Sequence, residues 1–83
     1  MEPDILFVPS AFEHRITEND IRHTFKTHIC DVLMAGFENK YFVAGFDCAG
    51  NLLEVMYNRI NDETVKVFHA MKCRKQFREK LGM

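Results

Sequence analysis

The residues best suited to chemistry lie in the last third of the chain. His69 closes an alternating segment, and Lys72, Arg74, Lys75 and Arg78 follow it within nine positions. Upstream, Tyr57 and Arg59 end an apolar run. Histidine titrates near neutral pH and can move protons, while Arg and Lys hold phosphate and offset charge that develops on it. RNA cleavage asks for little more, because a 2′-hydroxyl supplies the nucleophile and the protein positions the phosphate and shuttles protons. The expected catalytic set is therefore His69, Lys72 and Arg59, with Arg74, Lys75, Arg78 and Tyr57 contacting RNA.

Charge distribution supports a polyanion-binding end. From Val65 onward six Lys/Arg face one acid, a net of +5, whereas residues 1–64 hold eleven acids and five bases, a net of −6. The near-neutral total thus hides a basic segment suited to phosphate or to an acidic protein. The competing structural reading is a solvated helix face.

Other chemistries find less support. The carboxylates fall in turns and helix starts rather than in an acid/base pair. There is no glycine-rich phosphate loop. His14, His23, His28 and Cys30 share one stretch, yet their spacing matches no zinc pattern, so neither a metal nor a cofactor is expected. Cys73 stands between Lys72 and Arg74, which favours thiolate, but a nucleophile would also need a base and an oxyanion site, and a structural role is preferred. Three cysteines without C-x-x-C spacing suggest no disulfide framework.

Several elements must position these residues. Eighty-three residues, 47 % apolar and 28 % charged with eight Phe, suit one globular domain over residues 1–83. No apolar run reaches the roughly 18 residues of a membrane span, and the acidic start is unlike a signal peptide, so a cytoplasmic protein is expected. Ile5 to Val8 forms a short apolar run of open type, stopped by Pro9, after which "SAFEHR" suits a helical turn. Thr17 is an N-cap for a helix from Glu18, with Ile16 and Ile21 as its hydrophobic staple and Ile21, Phe25 and Ile29 as its buried stripe. Residues 29–36 suit either a continuation of that helix or a strand, and a strand is preferred. "KYFVAGFD" and "NLLEVMYN" flank "CAG" as a β-hairpin. After the polar turn "INDE", "TVKVFHAM" alternates Val65, Val67 and His69 on one face against Lys66, Phe68 and Ala70. A helix from about Lys72 closes the chain, docking by Phe77 and Leu81 and leaving Arg74, Lys75 and Arg78 free. The expected fold is α+β, an antiparallel meander of about four strands flanked by an N-terminal and a C-terminal helix.

The order of elements, with the "RITENDI" helix start and the segment "GFDCAGNLLEVMYN…VFHAMKCRKQFREKL", resembles the BrnT-type toxins of type II toxin–antitoxin systems, relatives of the RelE superfamily. That resemblance spans roughly residues 16 to 82. It implies a metal-independent endoribonuclease that inhibits translation until an antitoxin protein covers it, as a homodimer or a toxin–antitoxin hetero-oligomer. Lys72 carries over from the family's basic strand end, but Met71 stands where the family has arginine, and a pI of about 6.4 is low for such a toxin. The alternative function is a non-catalytic interaction module whose basic C-terminal helix binds an acidic partner protein. A homodimer joined through a sheet edge is a further reading.

Overall fold

The computed structural model describes residues 3–82. Five strands form one mixed sheet: β1 (Asp4–Phe7), β2 (Cys30–Leu33), β3 (Tyr41–Phe46), β4 (Leu52–Arg59) and β5 (Thr64–Lys72), in spatial order β1-β5-β4-β3-β2. α+β is as expected, but the sheet is not the expected four-stranded antiparallel meander: β2 to β5 run antiparallel in sequence order and a fifth strand makes the sheet mixed. The expected count of four is corrected by β1, which pairs parallel with β5 from Asp4 opposite Thr64 to Phe7 opposite Val67. A four-residue apolar run does not declare its period, and only the tertiary neighbour makes it a strand.

Helix α1 (Glu18–Lys26) begins as its cap residues dictate. Thr17 accepts the Asp20 backbone N–H at 3.1 Å, and Glu18 and Asp20 place negative charge in the first turn. Ile21, Thr24 and Phe25 are buried against Val43, Val55, Tyr57, Val65 and Val67 of the sheet, with Ile16 packed alongside. The helix stops at Lys26, so Ile29 falls outside the stripe and is half exposed. Contact with β3 is close: a Cβ on Gly45 would lie 2.3 Å from the Thr24 carbonyl oxygen. Glycine there lets helix and sheet backbones touch.

Helix α2 (Lys75–Lys80) covers the opposite face, where Phe77 and Leu81 pack on Phe42, Ala44 and Met56. It starts three residues later than expected because β5 continues to Lys72 and Arg74 serves as an extended N-cap. In the β3–β4 hairpin, Asp47 Oδ1 accepts the N–H groups of Ala49 and Asn51, and Gly50 has φ +86°.

One irregularity in β5 decides which side chains meet. Tyr57 pairs with Val67 and Met56 with His69, so Phe68 is an extra residue in β5. This bulge shifts the alternation by one residue. His69 therefore leaves the face of Val65 and Val67, where simple alternation puts it, and joins Met56 and Glu54 on the α2 face. Ala70 takes the α1 face instead.

Candidate active site around Glu54 and His69

Glu54 sits mid-strand in β4 with no solvent exposure, and four hydrogen bonds converge on its carboxylate. His69 Nε2 donates to Oε2 at 3.0 Å. Arg74 donates from its backbone N–H and from Nε to Oε1, at 2.9 and 3.0 Å, and from Nη2 to Oε2 at 2.8 Å. Burial opposes the carboxylate's charge, but the bonds from His69 and Arg74 outweigh it and hold Glu54 at about 2. An ionised carboxylate only accepts, so the shared proton resides on His69 Nε2. That leaves Nδ1 as the lone-pair nitrogen of the neutral ring. A buried carboxylate that fixes the tautomer and orientation of an imidazole is the positioning element of histidine general bases.

A second imidazole lies beside the first. His14 and His69 meet edge to face, with ring centroids 5.6 Å apart and planes at 74°. The bulge and its neighbours bring them together. Ser10, within the 3₁₀ turn Pro9–Phe12, donates its hydroxyl to the Phe68 carbonyl at 2.6 Å, and Val8 N–H donates to the Val67 carbonyl at 3.1 Å. The next turn carries exposed His14 and ends at Arg15 with φ +64°, a left-handed conformation unusual for arginine. His69 keeps about a fifth of its side-chain surface exposed, enough to be reached from solvent. Two histidines at this spacing can serve as proton acceptor and proton donor, with Arg74 as adjoining positive charge.

The remaining expected site residues divide. Arg74 belongs to the site but is not a free cation, because its guanidinium is committed to Glu54. Lys72 lies opposite Leu53 on the α1 face, so alternation sends its side chain away from His69. Lys75 and Arg78 are exposed on α2, and Lys75 makes a loose 4.0 Å contact with Glu79. Tyr57 and Arg59 do not join the site. They project from the α1 face, and Arg59 lies five residues along β4 from Glu54, roughly 16 Å at about 3.3 Å per residue.

Tyr57 is buried, donates its hydroxyl to Asp31 and stacks on Tyr41 at 5.2 Å, so it offers RNA no surface. Burial, reinforced by Asp31, pushes its phenol well above the usual range. The cleft of about 420 Å³ beside it is lined by Asp4, Asp31, Asp62 and Glu63 with Arg59, an acidic environment that repels phosphate. Nor do His23 and His28 gather with His14: their Nδ1 atoms donate to the Phe46 and Phe25 carbonyls. Cys73 is buried, and burial followed by the nearby Glu54 charge pushes its thiol up, reversing the expectation from its cationic neighbours.

Glu54 is not among the expected site residues, and His14 is weighed there only as a metal ligand. Glu54 had a signal, a lone acid inside "LLEVMY", since an unpaired charge within a buried run is too costly to stand. His14 had none, for its placement depends on the 3₁₀ turn and the bulge. No family model matches the chain, and no curated protein or solved structure does so either.

Proposed function

We propose that this chain is a metal-independent endoribonuclease of BrnT-like, RelE-related fold, acting in the cytoplasm as the toxin half of a toxin–antitoxin pair. The observation that carries the reading is the His14–His69 pair with His69 oriented by buried, ionised Glu54. In the proposed step His69 Nδ1 accepts the proton of an RNA 2′-hydroxyl. That oxygen forms a bond to phosphorus, and the bond from phosphorus to the 5′-oxygen breaks. The departing 5′-oxygen takes a proton from protonated His14, leaving a 2′,3′-cyclic phosphate and a 5′-hydroxyl. Arg74 adds positive charge beside the phosphorane, and exposed Lys75 and Arg78 engage the flanking backbone.

Cleavage of a labelled single-stranded RNA in excess chelator tests this, together with growth arrest on expression. The wild type is expected to yield cyclic-phosphate ends, and His69→Gln to lower the rate by about 10²- to 10⁴-fold with folding intact by circular dichroism. A wild-type protein that neither cleaves RNA nor arrests growth overturns the reading and leaves the interaction module in its place. Wild-type rates from both His69→Gln and His14→Ala would sink the histidine mechanism alone.

A further inference from the structure

The sheet edge farthest from β1 is unprotected. Among the described residues β2 pairs only with β3, and its Cys30, Asp31, Val32 and Leu33 include neither proline nor lysine. Met34 N–H donates to the Lys40 carbonyl, and the antiparallel alternation counted from that bond turns the backbone groups of Cys30 and Val32 towards β3. Asp31 and Leu33 therefore point their N–H and C=O groups outward, which is the template an added strand requires. Beside this edge runs an apolar groove of about 400 Å³ between β2 and α2, lined by Val32, Met34, Phe42, Phe77, Leu81 and Lys80. Val32 and Leu33 are each 49 % exposed and Phe37, in the adjoining turn, 50 %. Such adjacent apolar exposure marks an interaction surface.

Charge identifies the occupant. Lys80 is the groove's charged lining residue, Lys40 lies 4.6 Å from the Phe37 ring centroid, and α2 itself carries Lys75, Arg78 and Lys80 against Glu79, Arg74 at its N-cap being committed to Glu54. Asp31, the acid of the edge strand, is turned to the other face, where it accepts the Tyr57 hydroxyl. The wall above the apolar floor is thus positive.

We propose that the β2 edge and its groove bind an extended segment of a partner protein in which apolar residues alternate with Asp or Glu. Its backbone extends the sheet at Asp31 and Leu33, its apolar side chains enter between Val32 and Phe77, and its acids meet Lys80 and Lys40. This surface is separate from Glu54 and His69, so it stands or falls independently of RNA cleavage.

The test selects a displayed library of random ten-residue peptides on the wild-type protein. Enriched peptides are expected to alternate apolar and acidic residues and, in amide spectra of labelled protein, to shift Asp31 and Leu33. Val32→Lys and Lys80→Glu should each weaken them at least tenfold. Leu33→Pro, which removes an outward N–H without removing a bond to β3, should do the same in a variant whose spectrum elsewhere is unchanged. Three outcomes overturn the proposal: no peptide is enriched, the enriched peptides lack acids, or they bind all three variants as they bind the wild type. A fourth is a wild-type dimer, seen by light scattering, that Val32→Lys dissociates, because the edge then belongs to a second copy of this chain.

Discussion

Glu54 ties the sheet to the start of α2 and orients His69, so a single carboxylate carries both a structural and a chemical consequence. Its pKa of about 2 in the fold lies below the ordinary 4.5. A carboxylate depressed in this way stabilises the fold fully above the unfolded value and ceases to do so as pH falls through the folded one. Stability should accordingly hold down to about pH 5 and drop between pH 4.5 and 2, by on the order of 3 kcal/mol from this group. Urea midpoints of the wild type against Glu54→Gln measure this. The variant is expected to be less stable at pH 7 by a similar amount, since Arg74 and His69 lose their counter-charge, and to show a shallower acid slope. Equal acid slopes in the two proteins would refute the assignment.

At the level of elements, two junctions set the geometry. Gly45 allows the α1 backbone to lie on β3, and Gly45→Ala would force apart groups only 2.3 Å from the new carbon. Since the obstacle is backbone, the helix itself must move, and a loss of about 1–3 kcal/mol in the unfolding free energy is expected. Thr17→Ala should cost on the order of 1 kcal/mol through loss of the Asp20 cap bond, and an unchanged midpoint would contradict a helix start at Glu18. The contrast between these junctions shows what a sequence reveals. Thr17, its staple and the β3–β4 turn are local signals, each satisfied by residues a few positions away, and all three are legible. The parallel pairing of β1 and the bulge at Phe68 depend on contacts across about sixty residues, such as the Ser10 hydroxyl on the Phe68 carbonyl. Nothing in "TVKVFHAM" itself announces the extra residue, and so simple alternation puts His69 on the wrong face. Residue types at the site are legible for His69 and Arg74. Their partnership with Glu54, and the removal of Tyr57 and Arg59 to an acidic cleft, come only from register.

For the whole molecule, the separation of charge along the chain becomes a separation in space. The acidic cleft occupies the α1 face near the β4–β5 turn, whereas Lys75, Arg78 and Lys80 lie on α2 across the sheet, with Lys72 and Arg74 where strand gives way to helix. On the proposed function, an RNA approaching such a dipole would be oriented before contact, its backbone drawn to the α2 end, where Glu54 joins Arg74 to His69. Binding should then be dominated by release of counterions and fall steeply with salt. Arg74 is unsuited to testing this, because changing it also unseats Glu54. Lys75 and Arg78 of α2 are exposed, and neither makes a bond to the buried carboxylate. Replacing these two together by Gln should leave the acid-unfolding profile intact while reducing the slope of log affinity against log salt for single-stranded RNA by roughly 1.4, at about 0.7 per lost phosphate contact. Fluorescence anisotropy between about 50 and about 300 mM salt gives that slope directly. An unchanged slope means that these cations do not meet phosphate. A slope near zero already in the wild type would mean that the basic end serves an acidic protein rather than RNA.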